Sequence, residues 1–322
     1  MRLFSAIPLA ALLAGAASAA DPPQLRLPVE CTLGASCYIQ NHVDHDPGPG
    51  IRDFACGDLS YDGHQGTDFA LPTHRDAAAG VNVLAAAPGR VSALRDGEPD
   101  RLFGASDGFA EGRDCGNGVV IDLGAGWEAQ YCHMRAGSVT VRLGETVAAG
   151  AVLGQVGMSG NAEFPHLHLS LRHDGQVVDP FQPNAKAACS TDPAGQLWLN
   201  APDYAAGGLI SAGFSPGLPD YDQIRYGKAH LQSLPPDAPA LVFWALAFGG
   251  QNGDEVRLRI DGPAGGFLDQ TVMIERDQAQ FFRASGRKLG TVNRRSGRYT
   301  GTAILIRDGV EVSRIRAETV LE

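Results

Sequence analysis

Positive charge is scarce in this chain. Its 322 residues hold 26 Lys+Arg against 36 Asp+Glu, a net charge of −10, and the first lysine is Lys186. Residues 1–189 carry 12 basic against 21 acidic side chains and residues 190–322 carry 14 against 15, balances of −9 and −1. With neither half basic, nucleic acid is excluded as a partner. Beyond the first twenty residues no apolar run approaches the roughly 20 residues that a membrane-spanning helix needs, so no membrane span is expected. A C-x2-C pair is missing, which removes the usual spacing of a zinc–thiolate cluster. There is no G-x-S-x-G either: "GMSGN" around Ser159 lacks the second glycine of a nucleophile elbow, which argues against a serine hydrolase. Between residues 81 and 180 no helical stripe of apolar positions is found.

What is present begins with an export signal. Arg2 is followed by "AIPLAALLAGAA" and then "ASAAD", in which Ala17 and Ala19 satisfy the A-x-A cleavage pattern. Residues 1–19 are therefore read as a signal peptide, and the mature protein as soluble and periplasmic or secreted. Export places the six cysteines (Cys31, Cys37, Cys56, Cys115, Cys132 and Cys189) in an oxidising compartment, where an even count suits disulfides. Spacing does not fix their pairing. Cys115 and Cys132 flank a strand pair over residues 117–132, and a bond between them is expected because it would pin the strand that presents His133. A chain of this length exceeds one usual core, and charge and cysteine usage both change near residue 190. The expected division is a first domain over 20–189 with its core at 50–183, a linker at 190–204, and a second domain over 205–322.

Both domains read as β. Short apolar and β-branched runs such as "NGVVIDLG", "WEAQYCHM" and "HLHLSLRHDGQVVD" are bounded by glycine, proline and aspartate, the pattern of antiparallel strands joined by tight turns. The segment 98–116 has no periodicity and reads as a long loop. From about residue 240, alternation in "EVRLRI" and "TAILIR" with turns every ten or so residues is the signature of a sandwich, expected to be immunoglobulin-like.

Nine histidines are present, and His74, His173 and His230 read as surface or satisfied core residues. Around "GHQGTD", His64 and Asp68 would lie about 13 Å apart in a straight strand, too far to share an ion, so the backbone must bend between them; Gly66 is the residue that can bend it. In "PHLHLSL", His166 and His168 share one strand face with Ser170, and Leu167, Leu169 and Leu171 take the other. His133 ends the run "EAQYCHM" with Tyr131 on the same side. Imidazole and carboxylate are ligands that zinc accepts, and a catalytic zinc keeps three of them plus an open position. Five candidate groups exceed three ligands, and the surplus suits acid–base work. Spacing does not tell His166 from His168 as the ligand. A second cluster, His42 with Asp44, His45 and Asp46, reads either as a metal site or as a solvated acidic turn.

In order, "GHQGTD", "GNGVVIDLG", "YCHM", "GETVAAGAVLGQVGMSG" and "PHLHLSL" resemble the lysostaphin-type (LytM-like) zinc metallopeptidases over roughly residues 50–183. That family cleaves peptide bonds in peptidoglycan on a small antiparallel β-scaffold, so the resemblance implies an all-β peptidase domain, one Zn2+ per chain and peptidoglycan as partner. By the same similarity His64, Asp68 and His168 match the zinc ligands. His133 and His166 match the two catalytic histidines, which act on the attacking water and stabilise the tetrahedral intermediate. Asn117 and Tyr131 are the substrate-binding candidates. Thr67 stands where the family usually has an apolar residue. Some LytM-like proteins have lost ligands and serve as cell-wall binding or amidase-activating scaffolds, but here all five positions are filled. The hairpins "APGRVSAL" and "GETVAAGAVLGQVG" also resemble biotinyl and lipoyl carrier domains. Those carry their cofactor on a lysine, and none precedes Lys186.

Overall fold

The structure, a computed structural model, describes residues 21–101, 111–184, 188–290 and 294–322. The expected signal peptide and residues 102–110 of the loop at 98–116 lie outside the described residues. Ten strands make up the N-terminal half: β1 (Tyr38–Asn41), β2 (Thr67–Ala70), β3 (Asn82–Leu84), β4 (Gly89–Arg95), β5 (Asn117–Gly124), β6 (Trp127–Met134), β7 (Thr146–Val147), β8 (Val152–Gln155), β9 (His166–His173) and β10 (Gln176–Val178). One antiparallel sheet runs β1-β2-β9-β6-β5-β4-β7, with β10 added to β9; β3 and β8 form a separate pair. Alternation along the strands gives the sheet two unlike faces. Leu167, Leu169 and Leu171 of β9 join Phe69, Val119, Ile121, Ala129 and Tyr131 in a buried apolar core, while the residues between the leucines face the site described below.

The C-terminal half holds two sheets, one of β11 (Gly208–Ser215), β13 (Ala240–Gly250) and β16 (Gln278–Lys288). The other contains β12 (Ser233–Leu234), β14 (Glu255–Gly262), β15 (Gly265–Met273), β17 (Gly297–Arg307) and β18 (Val310–Leu321). Phe214 and Phe243 from the first sheet and Leu258, Tyr299 and Leu305 from the second share one core, which is a sandwich arrangement. The only helices among the described residues are short, α1 (His74–Ala79) and α2 (Tyr221–Arg225).

One expectation changes. The segment read as a linker is not free: Leu197 and Trp198 are buried in the N-terminal core, and Trp198 bridges Leu25. The two halves also pack on each other. Tyr38, Leu59 and Ala70 pack with Ile210, Ile224, Trp244, Leu246 and Phe248 in a third buried cluster. Polar contacts reinforce it, since Gln280 Nε2 donates to Tyr38 Oη and Gln40 Oε1, each at 2.9 Å, and Tyr204 Oη donates to Asp53 Oδ2 at 2.7 Å.

All six cysteines are bonded, as Cys31–Cys37, Cys56–Cys189 and Cys115–Cys132. The last is the pair expected from the strands it flanks.

Candidate metal centre

Residues 62–68 form no helix, and β2 begins only at Thr67, so the chain turns between His64 and Asp68. Gly66 matters there for a reason the spacing did not show. It has no positive φ; instead the His168 ring lies against it, and a Cβ would come within 2.5 Å of His168 Nε2. On the neighbouring strand the register pairs Asp68 with His168 and Ala70 with His166. That pairing sets His168 directly opposite the carboxylate and His166 two residues along the strand.

Each imidazole has one nitrogen committed, and this fixes which nitrogen faces inward. His64 Nδ1–H donates to the His42 carbonyl oxygen at 2.7 Å, leaving Nε2 for the centre. Ser170 donates its hydroxyl proton to the Gln65 carbonyl at 2.5 Å, so it accepts from His168 Nε2–H at 3.1 Å and His168 Nδ1 turns inward. His64 Nε2 and His168 Nδ1 are then 3.2 Å apart, and each approaches Asp68 Oδ1, at 3.3 and 2.8 Å. Asn41 Nδ2–H donates to the other carboxylate oxygen at 2.9 Å.

Three ligand atoms thus lie within 4.8 Å of one another, in a site where His64 and Asp68 are buried. Inward lone pairs on two nitrogens 3.2 Å apart repel unless something positive lies between them. Burial lowers the affinity of His64 for a proton, yet the Asp68 charge and hydrogen bond outweigh it and raise its pKa. Burial likewise works to raise the Asp68 pKa, and the imidazoles of His64 and His166, with hydrogen bonds from His168 and His64, hold it well below the usual carboxylate range. The centre is built for a positive charge, and a donor set of two imidazoles and one carboxylate fits a divalent metal of the zinc type.

His133 and His166 stand next to the ligands, with ring centroids 4.6 Å apart. His133 Nδ1–H donates to the Ser159 carbonyl and His166 Nδ1–H to the Phe164 carbonyl, both at 2.8 Å, so each leaves Nε2 as an acceptor. Burial, followed by the neighbouring imidazoles, pushes the His133 pKa well below its ordinary value. Burial also lowers that of His166, against the pull of Asp68, whose Oδ1 is 3.6 Å from His166 Nε2. His133 has a left-handed φ of 62°, rare for a side chain of this size, and the bond from Cys115 to Cys132 precedes it directly.

Residues 62–180, which hold all five of these side chains, match peptidase family M23. This segment is a LytM-like M23 domain. A DD-carboxypeptidase/endopeptidase, Mpg, from Neisseria meningitidis serogroup B is 32% identical to the chain over 117 residues, 36% of this chain and 22% of the relative. The chain thus spans about a fifth of the length of the curated relatives it matches. Among solved structures, the catalytic domain of the prophage-encoded M23 protein EnpA from Enterococcus faecalis, a mutant form, is 26% identical, covering 46% of this chain and 92% of that one with a TM-score of 0.32. For the lysostaphin catalytic domain from Staphylococcus simulans the values are 20%, 46%, 90% and 0.29.

Asn117 and Tyr131 do not line the M23 cleft and are corrected as substrate-binding candidates. Both are fully buried: the Asn117 amide donates to the carbonyls of Glu98 and Met134, and Tyr131 Oη accepts the Ala86 N–H inside the core. The second cluster divides between the core and a partly exposed turn. His42 is packed between the rings of Phe54 and Phe181, His45 pairs with Asp179 at 2.7 Å, and Asp44 accepts backbone N–H groups of Asp46, Arg52 and Gly63. His74, His173 and His230 lie outside the centre, against Tyr226, against Trp127 and beneath the Phe214 N–H.

What sequence reasoning missed is the opposite wall. A cleft of 820 Å3 opens over Asp68, His133 and His166, and its far side is made of Tyr221, Arg225 and residues 276–280 of the C-terminal half. No motif marks them, since their role depends on the packing between the halves.

Proposed function

We propose that this chain is an extracytoplasmic, zinc-dependent endopeptidase that hydrolyses peptide bonds in peptidoglycan, with one zinc held by His64, Asp68 and His168. The observation that carries the reading is the convergence of three inward-facing donors beside two further imidazoles whose Nε2 atoms are free in an open cleft. Bound there, zinc supplies a Lewis acid that lowers the pKa of water toward ~7 and polarises a carbonyl. The protein's own groups move the protons. His166, 3.6 Å from the Asp68 carboxylate, is the better proton acceptor, because that charge stabilises the imidazolium once formed. His133 resists protonation more strongly. With its Nε2 lone pair it orients the attacking water, and it hydrogen-bonds the developing oxyanion only after receiving a proton.

Digestion of purified peptidoglycan, with released fragments identified by mass, tests the proposal. Chelation is expected to abolish release and zinc to restore it. Protein that binds no zinc, or fragment release that survives exhaustive chelation, would refute it.

A further inference from the structure

The cleft has two unlike walls. One carries Asp68, His133 and His166; the other belongs to the C-terminal half and presents two arginines, Arg225 and Arg276. We propose that Arg276 and Arg225 bind a free carboxylate of the peptide substrate, so that the sandwich half determines specificity for anionic peptides at the M23 centre. This rests on the peptidase reading above and extends it.

Elsewhere on the sandwich, five arginines are matched by nearby carboxylates, as Arg257 is by Asp269 and Arg307 by Asp254, while Arg283 and Arg287 lie over the rings of Phe281 and Phe267. Among the described residues neither cleft arginine has an ion-pair partner. The Arg225 guanidinium donates to the Glu163 carbonyl oxygen and lies 5.7 Å over the Tyr221 ring, contacts that fix its position without an ion pair. Arg276 is exposed at the cleft. The cleft also holds the carboxylates of Asp68, Glu163 and Asp277, and among the described residues none of them is ion-paired with either arginine; Asp277 accepts the Asn252 backbone N–H. A guanidinium binds a carboxylate in a two-pronged geometry that an amide cannot match, because the second oxygen is missing. The arginine wall is also held firmly against the metal wall, since Gln280, four residues after Arg276, is tied to Tyr38 and Gln40. The cleft volume lies within the range of pockets that enclose a small ligand.

The test uses a peptidoglycan stem peptide with its carboxylates free and the same peptide fully amidated. Binding to the metal-stripped full-length protein is read by calorimetry, so the result does not depend on turnover. The free-carboxylate peptide is expected to bind about tenfold more tightly, as for a hydrogen bond to a charged group. Arg276→Gln and Arg225→Gln should each reduce that ratio, and the double variant should bring it near one. Arg257→Gln, on the sandwich but already paired with Asp269, should leave it intact. Failure of the free-carboxylate peptide to bind, equal binding of the two peptides, or a ratio that survives in the double variant overturns the inference. None of these outcomes touches the peptidase reading, which hydrolysis and metal content decide.

Discussion

A methyl group on residue 66 would meet Nε2 and Cε1 of His168 at 2.5 and 2.6 Å, and the Leu169 carbonyl oxygen at 2.7 Å. Gly66→Ala is therefore expected to push the ring off Ser170 and weaken zinc binding at least tenfold in a competition titration; unchanged affinity would count against this role for Gly66. Ligands and acid–base groups should separate in the same kind of experiment. Alanine at His64, Asp68 or His168 should lose zinc and activity together. Alanine at His133 or His166 should keep zinc and lose about 10²- to 10⁴-fold in turnover, with content and rate read on one preparation. If His133→Ala loses its zinc while His168→Ala keeps it, the assignment is wrong. His42 offers a test of stability. Burial lowers its pKa from 6.5 to about 4, so between those values the unfolded chain binds a proton that the folded chain refuses, and stability falls as pH drops through that window, by roughly 3 kcal/mol in all. His42→Phe keeps a ring between Phe54 and Phe181 and should lose much of that acid sensitivity in denaturant midpoints compared at pH about 7 and about 4.5. At this scale the five site side chains were legible because histidine and aspartate are chemically conspicuous. Asn117 and Tyr131 were misread because a polar tip beside a motif looks the same in sequence whether it faces a cleft or a carbonyl in the core.

Among elements, the strand pattern of β9 was readable from its alternation of leucine with histidine and serine, and the structure bears it out. The pairing of β2 with β9 was not. It joins residues 100 apart, and only the assembled sheet sets the register. The end of β6 shows a second device. His133 has its backbone in the left-handed region, at a cost of roughly 1–2 kcal/mol, and is retained there by the N–H bond to the Cys115 carbonyl at 2.8 Å and by the disulfide one residue earlier. Replacing Cys115 and Cys132 together by serine should cost about 3 kcal/mol for a loop of this size. It should also lower turnover while zinc content holds, because the cross-link positions His133 and no ligand. A variant that kept full turnover would show that the strand needs no such restraint.

At the level of the molecule, two β-rich halves were evident from composition and turn spacing, but their joint core was not, because a surface buried between remote segments leaves no periodic trace. Tyr38, Trp244 and Phe248 bury large apolar areas there, so the halves are expected to unfold in one cooperative transition. Phe248→Ala should lower its midpoint, with a loss of stability of about 3–5 kcal/mol as is typical of such a truncation. Two well-separated calorimetric peaks would contradict this. A protein ending near residue 205 retains His64, Asp68, His133, His166 and His168 and should still bind zinc, but it exposes the joint core and is expected to aggregate, as light scattering would show.

The bond between Cys56 and Cys189 spans 133 residues and closes a covalent ring around His64, Asp68, His133, His166 and His168. A single proteolytic cut anywhere inside that ring converts the closed loop into two arms still joined at the sulfurs, so both sides of the site stay tethered. The molecule can thus be nicked there without being dismantled. Limited proteolysis should yield a species that migrates as one chain on a non-reducing gel and separates into fragments only after thiol is added.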